Sequence, residues 1–96
     1  MIDSIDLNEI KKDNHFKKNG KSFEYNDGEF FLYVDPAKIN KSIVKFISVH
    51  TISGHKCIKI IHNKKDFKTT MIILKNKTIS YIEKVKIIEE GIIYLM

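Results

Sequence analysis

The stretch SIVKFISVHTISGHKCIKIIHN, residues 42–63, decides the fold class. Two runs that alternate apolar and polar residues flank Ser53-Gly54, the pattern of a β-hairpin whose strands are buried on one face. A two-residue turn there sets Ile52 opposite His55, His50 opposite Cys57, Val49 opposite Ile58, Ser48 opposite Lys59 and Ile47 opposite Ile60. Successive side chains of a strand point to opposite faces, so this register sorts the hairpin into two chemically distinct sets. Ile43, Ile47, Val49, Ile58 and Ile60 make an apolar face expected in the core, and Ser48, His50, His55, Cys57 and Lys59 share the other face.

The segments on either side keep the period of two. Asn19-Gly20 and Asp27-Gly28 are hairpin-turn signals, because these residues tolerate the positive φ angles of a type I′ turn. Two-residue turns at both places put Phe16 opposite Phe23, Tyr25 opposite Phe30 and Phe23 opposite Leu32. Phe16, Phe23, Tyr25, Phe30, Leu32 and Val34 then share one face of a three-stranded meander, and two independent turns agree on it. Asp35-Pro36-Ala37-Lys38-Ile39-Asn40 breaks the pattern and predicts a single helical turn, with Asp35 as cap and Pro36 at the first helical position.

Beyond the central hairpin, residues 62–66 read as a turn into a strand from Phe67 to Lys75, and Asn76-Lys77 as a turn into a strand from Thr78 to Ile88. In that register Leu74 faces Ile79 and Ile72 faces Tyr81. Glu89-Glu90-Gly91 predicts a three-residue hairpin loop leading to a terminal strand over Ile92-Ile93-Tyr94-Leu95. At the other end, Asp6 and Glu9 form a capping box for a short helix ending near Asp13. The expected fold is mainly β, all-β or α+β: an antiparallel meander closing into a small barrel or two-layer roll, with a short N-terminal helix. Ninety-six residues make one domain, divided into a helix and aromatic meander (1–37), basic hairpins (38–82) and terminal strands (83–96).

The run Ile72-Ile73-Leu74-Lys75-Asn76, followed by the strand expected from Thr78 to Ile88, resembles the bacterial Sm-like RNA chaperones. That resemblance implies a small bent sheet that binds RNA. Ile58 or Lys59 stands where the family's second strand carries a glycine, a departure that leaves the family unassigned.

The chain carries a net charge of +5, unevenly placed. Residues 1–37 hold five Lys against eight Asp or Glu, residues 38–82 hold ten Lys against Asp66 alone, and residues 83–96 hold two Lys against three Glu. Every basic residue is Lys, so the planar guanidinium that reads guanine bidentately is missing. A lysine surface attracts phosphate and reads little sequence. Lys45, Lys56, Lys59, Lys64, Lys65, Lys68, Lys75 and Lys77 are the candidate nucleic-acid or anion-binding residues.

His50, His55 and Cys57 project from one face in the hairpin register, three N and S ligands that would suit zinc. His62 has the wrong parity to join them, and the spacing matches no standard finger. No nucleophile elbow or glycine-rich phosphate loop occurs, so no catalytic residue is assigned and no cofactor is expected beyond that zinc option. The single cysteine fits a reducing compartment, and no apolar run approaches the ~20 residues of a membrane span; a cytoplasmic protein is expected. The reading is a non-enzymatic binding protein that engages an anionic partner, nucleic acid first, through its Lys-rich β surface. Its alternative is a phage or mobile-element accessory protein that inhibits a host defence protein or sequesters a nucleotide, and a homo-oligomer is the favoured state.

Overall fold

A computed structural model defines residues 10, 12–20, 22–36 and 44–91. Five strands, β1 (Phe16–Asn19), β2 (Ser22–Asn26), β3 (Phe30–Pro36), β4 (Val44–Thr51) and β5 (Cys57–Ile61), are followed by two helices, α1 (Lys64–Lys75) and α2 (Tyr81–Glu90). The strands form one sheet in sequence order, every neighbouring pair antiparallel. The protein is thus mainly β and antiparallel, but the sheet is not closed into a barrel. Among the described residues β1 and β5 are its edges, and the helices form a second layer against one face. Of the N-terminal helix expected to end near Asp13, Ile10 and Lys12 are helical; Asp6 and Glu9 lie outside the described residues, as does the terminal strand expected over 92–95.

The first two turns are each displaced by two residues from the expected register. Phe16 pairs with Tyr25 rather than Phe23, and Tyr25 pairs with Leu32 rather than Phe30. A shift of two preserves facing, since the side-chain period is two. Phe16, Phe23, Tyr25, Phe30, Leu32 and Val34 accordingly do share one face, and all are buried. Asp27 holds the second turn open: its Oδ1 accepts the N–H groups of Glu29 (2.9 Å) and Phe30 (2.8 Å), and its Oδ2 accepts the Tyr25 hydroxyl at 2.7 Å. Burial and the neighbouring Asp27 push the Tyr25 phenol far above its ordinary value. Asp35 and Pro36 do not open a helical turn. They extend β3, with a register shift between them, and residues 37–40 lie outside the described set.

In the central hairpin His50 does pair with Cys57, but Val49 pairs with Lys59, Ser48 with Ile60 and Ile47 with Ile61. A bulge near Ile58 inserts one residue and reverses the facing of the rest of β5. Ile58 and Ile61 are buried together, while Ile60, expected in the core, is 47% exposed. The strand contains apolar residues at both spacings, two and three, so periodicity alone does not select between them.

The strands expected over 67–75 and 78–88 are helices, and with them the resemblance to Sm-like proteins loses its structural basis. Both starts are capped by side chains. The Asn63 side-chain Oδ1 accepts the Asp66 N–H at 2.8 Å, and the Ser80 hydroxyl accepts the Glu83 N–H at 3.2 Å. Phe67, Thr70, Met71 and Leu74 then fall on one side of α1, and Tyr81, Lys84, Val85 and Ile88 on one side of α2, each at spacings of three and four. The α2 cap is Gly91, whose φ of 130° is glycine territory and whose N–H bonds the Ile87 carbonyl at 3.1 Å. These faces close the core over Val44, Ile47, Val49, Ile58 and Ile61. Lys84 is buried with them and donates from Nζ to the Leu74 carbonyl at 2.9 Å, so one lysine ties α2 to the end of α1.

The bulge makes an unequal demand on two adjacent isoleucines. Ile61→Ala is expected to lower unfolding stability by about 2–5 kcal/mol, as for a fully buried aliphatic side chain. Ile60→Ala should cost no more than about 1 kcal/mol. Urea denaturation of the two variants measures this, and the reverse order would restore the unbulged hairpin.

Candidate anion-binding interface

The lysines singled out by charge do not all remain available. Lys56, beside the β4–β5 turn, is 3.4 Å from Glu89 on α2. Lys75, in the last turn of α1, is ion-paired with Asp13, which also accepts the backbone N–H of His15 at 3.0 Å. Burial disfavours the Asp13 carboxylate, but Lys75 and the two hydrogen bonds from His15 outweigh it and lower its pKa. Lys77 is exposed in the link between the helices, and Lys45 lies on β4 with its side chain outside the described set.

Lys59, Lys64, Lys65 and Lys68 are different. They follow one another from β5 through the corner at His62-Asn63 into the first turns of α1. Lys65 and Lys68 are exposed and Lys59 and Lys64 partly so, and among the described residues none has a carboxylate partner. Lys64 and Lys68 are four apart on one helical face, and Lys65 and Lys68 three apart. Like charges at such spacing destabilise an isolated helix by about 0.2–0.5 kcal/mol per pair. They also stand at the positive end of the helix dipole, which favours anions. Asp66, the one acidic residue of that turn, is engaged by the cap, its Oδ2 accepting the Asn63 side-chain amide at 3.0 Å.

His50 and Cys57 are cross-strand partners, as expected, but the zinc set is not assembled. His50 Nε2 lies 2.9 Å from the Ser48 hydroxyl, His55 sits in the turn with φ 53°, and the exposed Cys57 thiol is 3.8 Å from the Lys59 carbonyl oxygen. Among the described residues no three His, Cys, Asp or Glu side chains are placed to hold a metal ion. A separate open groove of about 590 Å³ lies between the β4–β5 turn and α2, floored by Ile58, Tyr81 and Val85 and rimmed by Ile82, which is 77% exposed. Sequence reading missed it because it assigned Thr78 to Ile88 to a strand and Glu89-Glu90-Gly91 to a hairpin loop.

The sheet face turned away from the helices carries Phe31 and Tyr33 on β3 and Phe46, Ser48 and His50 on β4. The Phe31 and His50 rings meet edge-on at 6.1 Å between centroids, and Tyr33 and Phe46 lie 6.3 Å apart. None of the helices of the described residues is long and apolar enough to cross a membrane. No family model matches the chain, and neither a curated protein nor a solved structure matches it significantly.

The Asp13–Lys75 pair ties the segment before β1 to α1 and makes a pH signature. A carboxylate whose pKa is lower in the folded chain contributes fully above its unfolded value, near 3.8, and loses that contribution as pH falls through the folded value. Wild-type stability should therefore decline below about pH 4, and Asp13→Asn should be less stable at neutral pH and show a shallower decline. Thermal unfolding of both proteins across that range is the check.

Proposed function

We propose that the protein is a non-enzymatic binding protein whose partner is a polyanion, nucleic acid foremost, held by Lys59, Lys64, Lys65 and Lys68. One observation carries this reading: among the described residues four neighbouring lysines have no carboxylate partner, and three of them, Lys64, Lys65 and Lys68, occupy the start of α1, where helix electrostatics oppose them. Neither packing nor pairing accounts for them, since Lys84 shows how this fold uses a lysine structurally and Lys56 and Lys75 show how it neutralises one. A phosphate backbone relieves both the mutual repulsion and the conflict with the dipole. Ammonium groups on flexible stems bind phosphate as point charges, so the binding is sequence-tolerant and salt-sensitive.

Fluorescence anisotropy with labelled oligonucleotides, titrated at several salt concentrations, tests the assignment. The combined variant Lys59→Glu, Lys64→Glu, Lys68→Glu is expected to lose affinity by more than about tenfold, and each neutralised contact removes about 0.7–0.9 from the slope of log affinity against log salt. Lys56→Gln, already paired with Glu89, should change little. An unchanged affinity in the triple variant sinks the reading. Binding to a single protein that survives high salt would replace it with the inhibitor alternative.

A further inference from the structure

The two aromatic pairs on the open sheet face come from halves of the chain with opposite charge, and only the β3–β4 pairing unites them. Phe31 is directly opposite His50, and Tyr33, opposite Ser48, is the diagonal neighbour of Phe46 two residues along β4. All four rings are partly buried, on the face that no described helix covers. We propose that this face is a base-stacking platform and that the polyanion is single-stranded nucleic acid; the inference rests on the lysine reading above and specifies its ligand.

The argument is one of position and charge. Ile47 pairs with Ile61, the last residue of β5, so Phe46 lies at the end of the sheet where the chain turns through His62 and Asn63 into α1. The Tyr33–Phe46 pair and the unpaired lysines of α1 therefore occupy the same end of the molecule. A duplex hides the faces of its bases, whereas a single strand offers a π-face on one side and a phosphate on the other, matching rings and lysines that share one end of the molecule. Two carboxylates share the open face. Glu24 is on β2, away from Phe46, and accepts the Asn19 side-chain amide at 2.9 Å. Asp35 is the cross-strand partner of Phe46. It repels phosphate there and accepts from the amino group of a base, which turns bases toward the rings and phosphates away from them.

The test compares a short single-stranded oligonucleotide with its duplex, using wild type, Tyr33→Ser, Phe46→Ser and Phe46→Trp. Each serine variant should bind the single strand about tenfold or more weakly and the duplex as wild type does. The chain contains no tryptophan, so Phe46→Trp supplies a clean signal that should be quenched by the single strand, and it stands in if a serine variant fails to fold. If the lysine variant abolishes binding while the serine variants keep single-strand affinity and the tryptophan is not quenched, the platform is overturned and the lysine interface stands. If wild type binds neither nucleic acid, both readings fall. A dimer in sedimentation that Phe46→Ser dissociates assigns the face to a second copy and also overturns the platform.

Discussion

Ile58 and Ile61 are three residues apart on one short strand, and both are buried. A regular strand cannot do this, because residues three apart face opposite ways. The bulge near Ile58 resolves the conflict, and the rest of the C-terminal half follows from it. With Ile61 inside, Ile60 is turned out, the strand ends on the core side, and the chain leaves β5 toward the face where α1 and α2 pack.

That exit sets the electrostatics. It carries Lys59, Lys64, Lys65 and Lys68 around one corner and delivers three of them to the helix end least suited to cations. Elsewhere the fold satisfies its lysines by means that differ in cost. Lys56 and Lys75 form ion pairs at the surface, worth little in free energy. Lys84 is withdrawn from water and donates to a helix carbonyl, an arrangement that holds only because its ammonium lies at the negative end of α1. The net charge of a segment is therefore a poor guide to its free positive surface: of the eight lysines that sequence marked as anion-binding, Lys56 and Lys75 are paired, and Lys59, Lys64, Lys65 and Lys68 form a contiguous set that, among the described residues, has no carboxylate partner.

The two faces of the sheet have divided roles. One buries Tyr25, Phe30, Leu32, Val34, Val44, Ile47 and Val49 under the helices and supplies the stability. The other presents aromatic rings, Ser48 and His50, which add little to that core. Residues on the face that does not hold the fold together can change without unfolding the domain. The pairing of His50 with Cys57 lies on that face too, and among the described residues no third metal-binding side chain joins it.

Local pattern was enough for the first three strands and their aromatic core face, because facing depends only on parity and survives a register shift of two; it placed the central hairpin and its His50–Cys57 pair but not the facing of the rest of β5. It was also enough to mark the basic stretch. The two helices were legible in part: Asn63 with Asp66, and Ser80 with Glu83, are caps at the right spacing. The run Thr69-Thr70-Met71-Ile72-Ile73, β-branched at every position but Met71, outweighed them in a reading by propensity, since both strand and helix place apolar residues inside. Sequence could not select the bulge, for Ile58, Ile60 and Ile61 offer equal apolar area in either parity. Tertiary packing decided it, because only burial against α1 and α2 distinguishes Ile61 from Ile60. Which lysines stay free and which aromatics stand together were decided at the same level, by partners distant in the chain that no local period encodes.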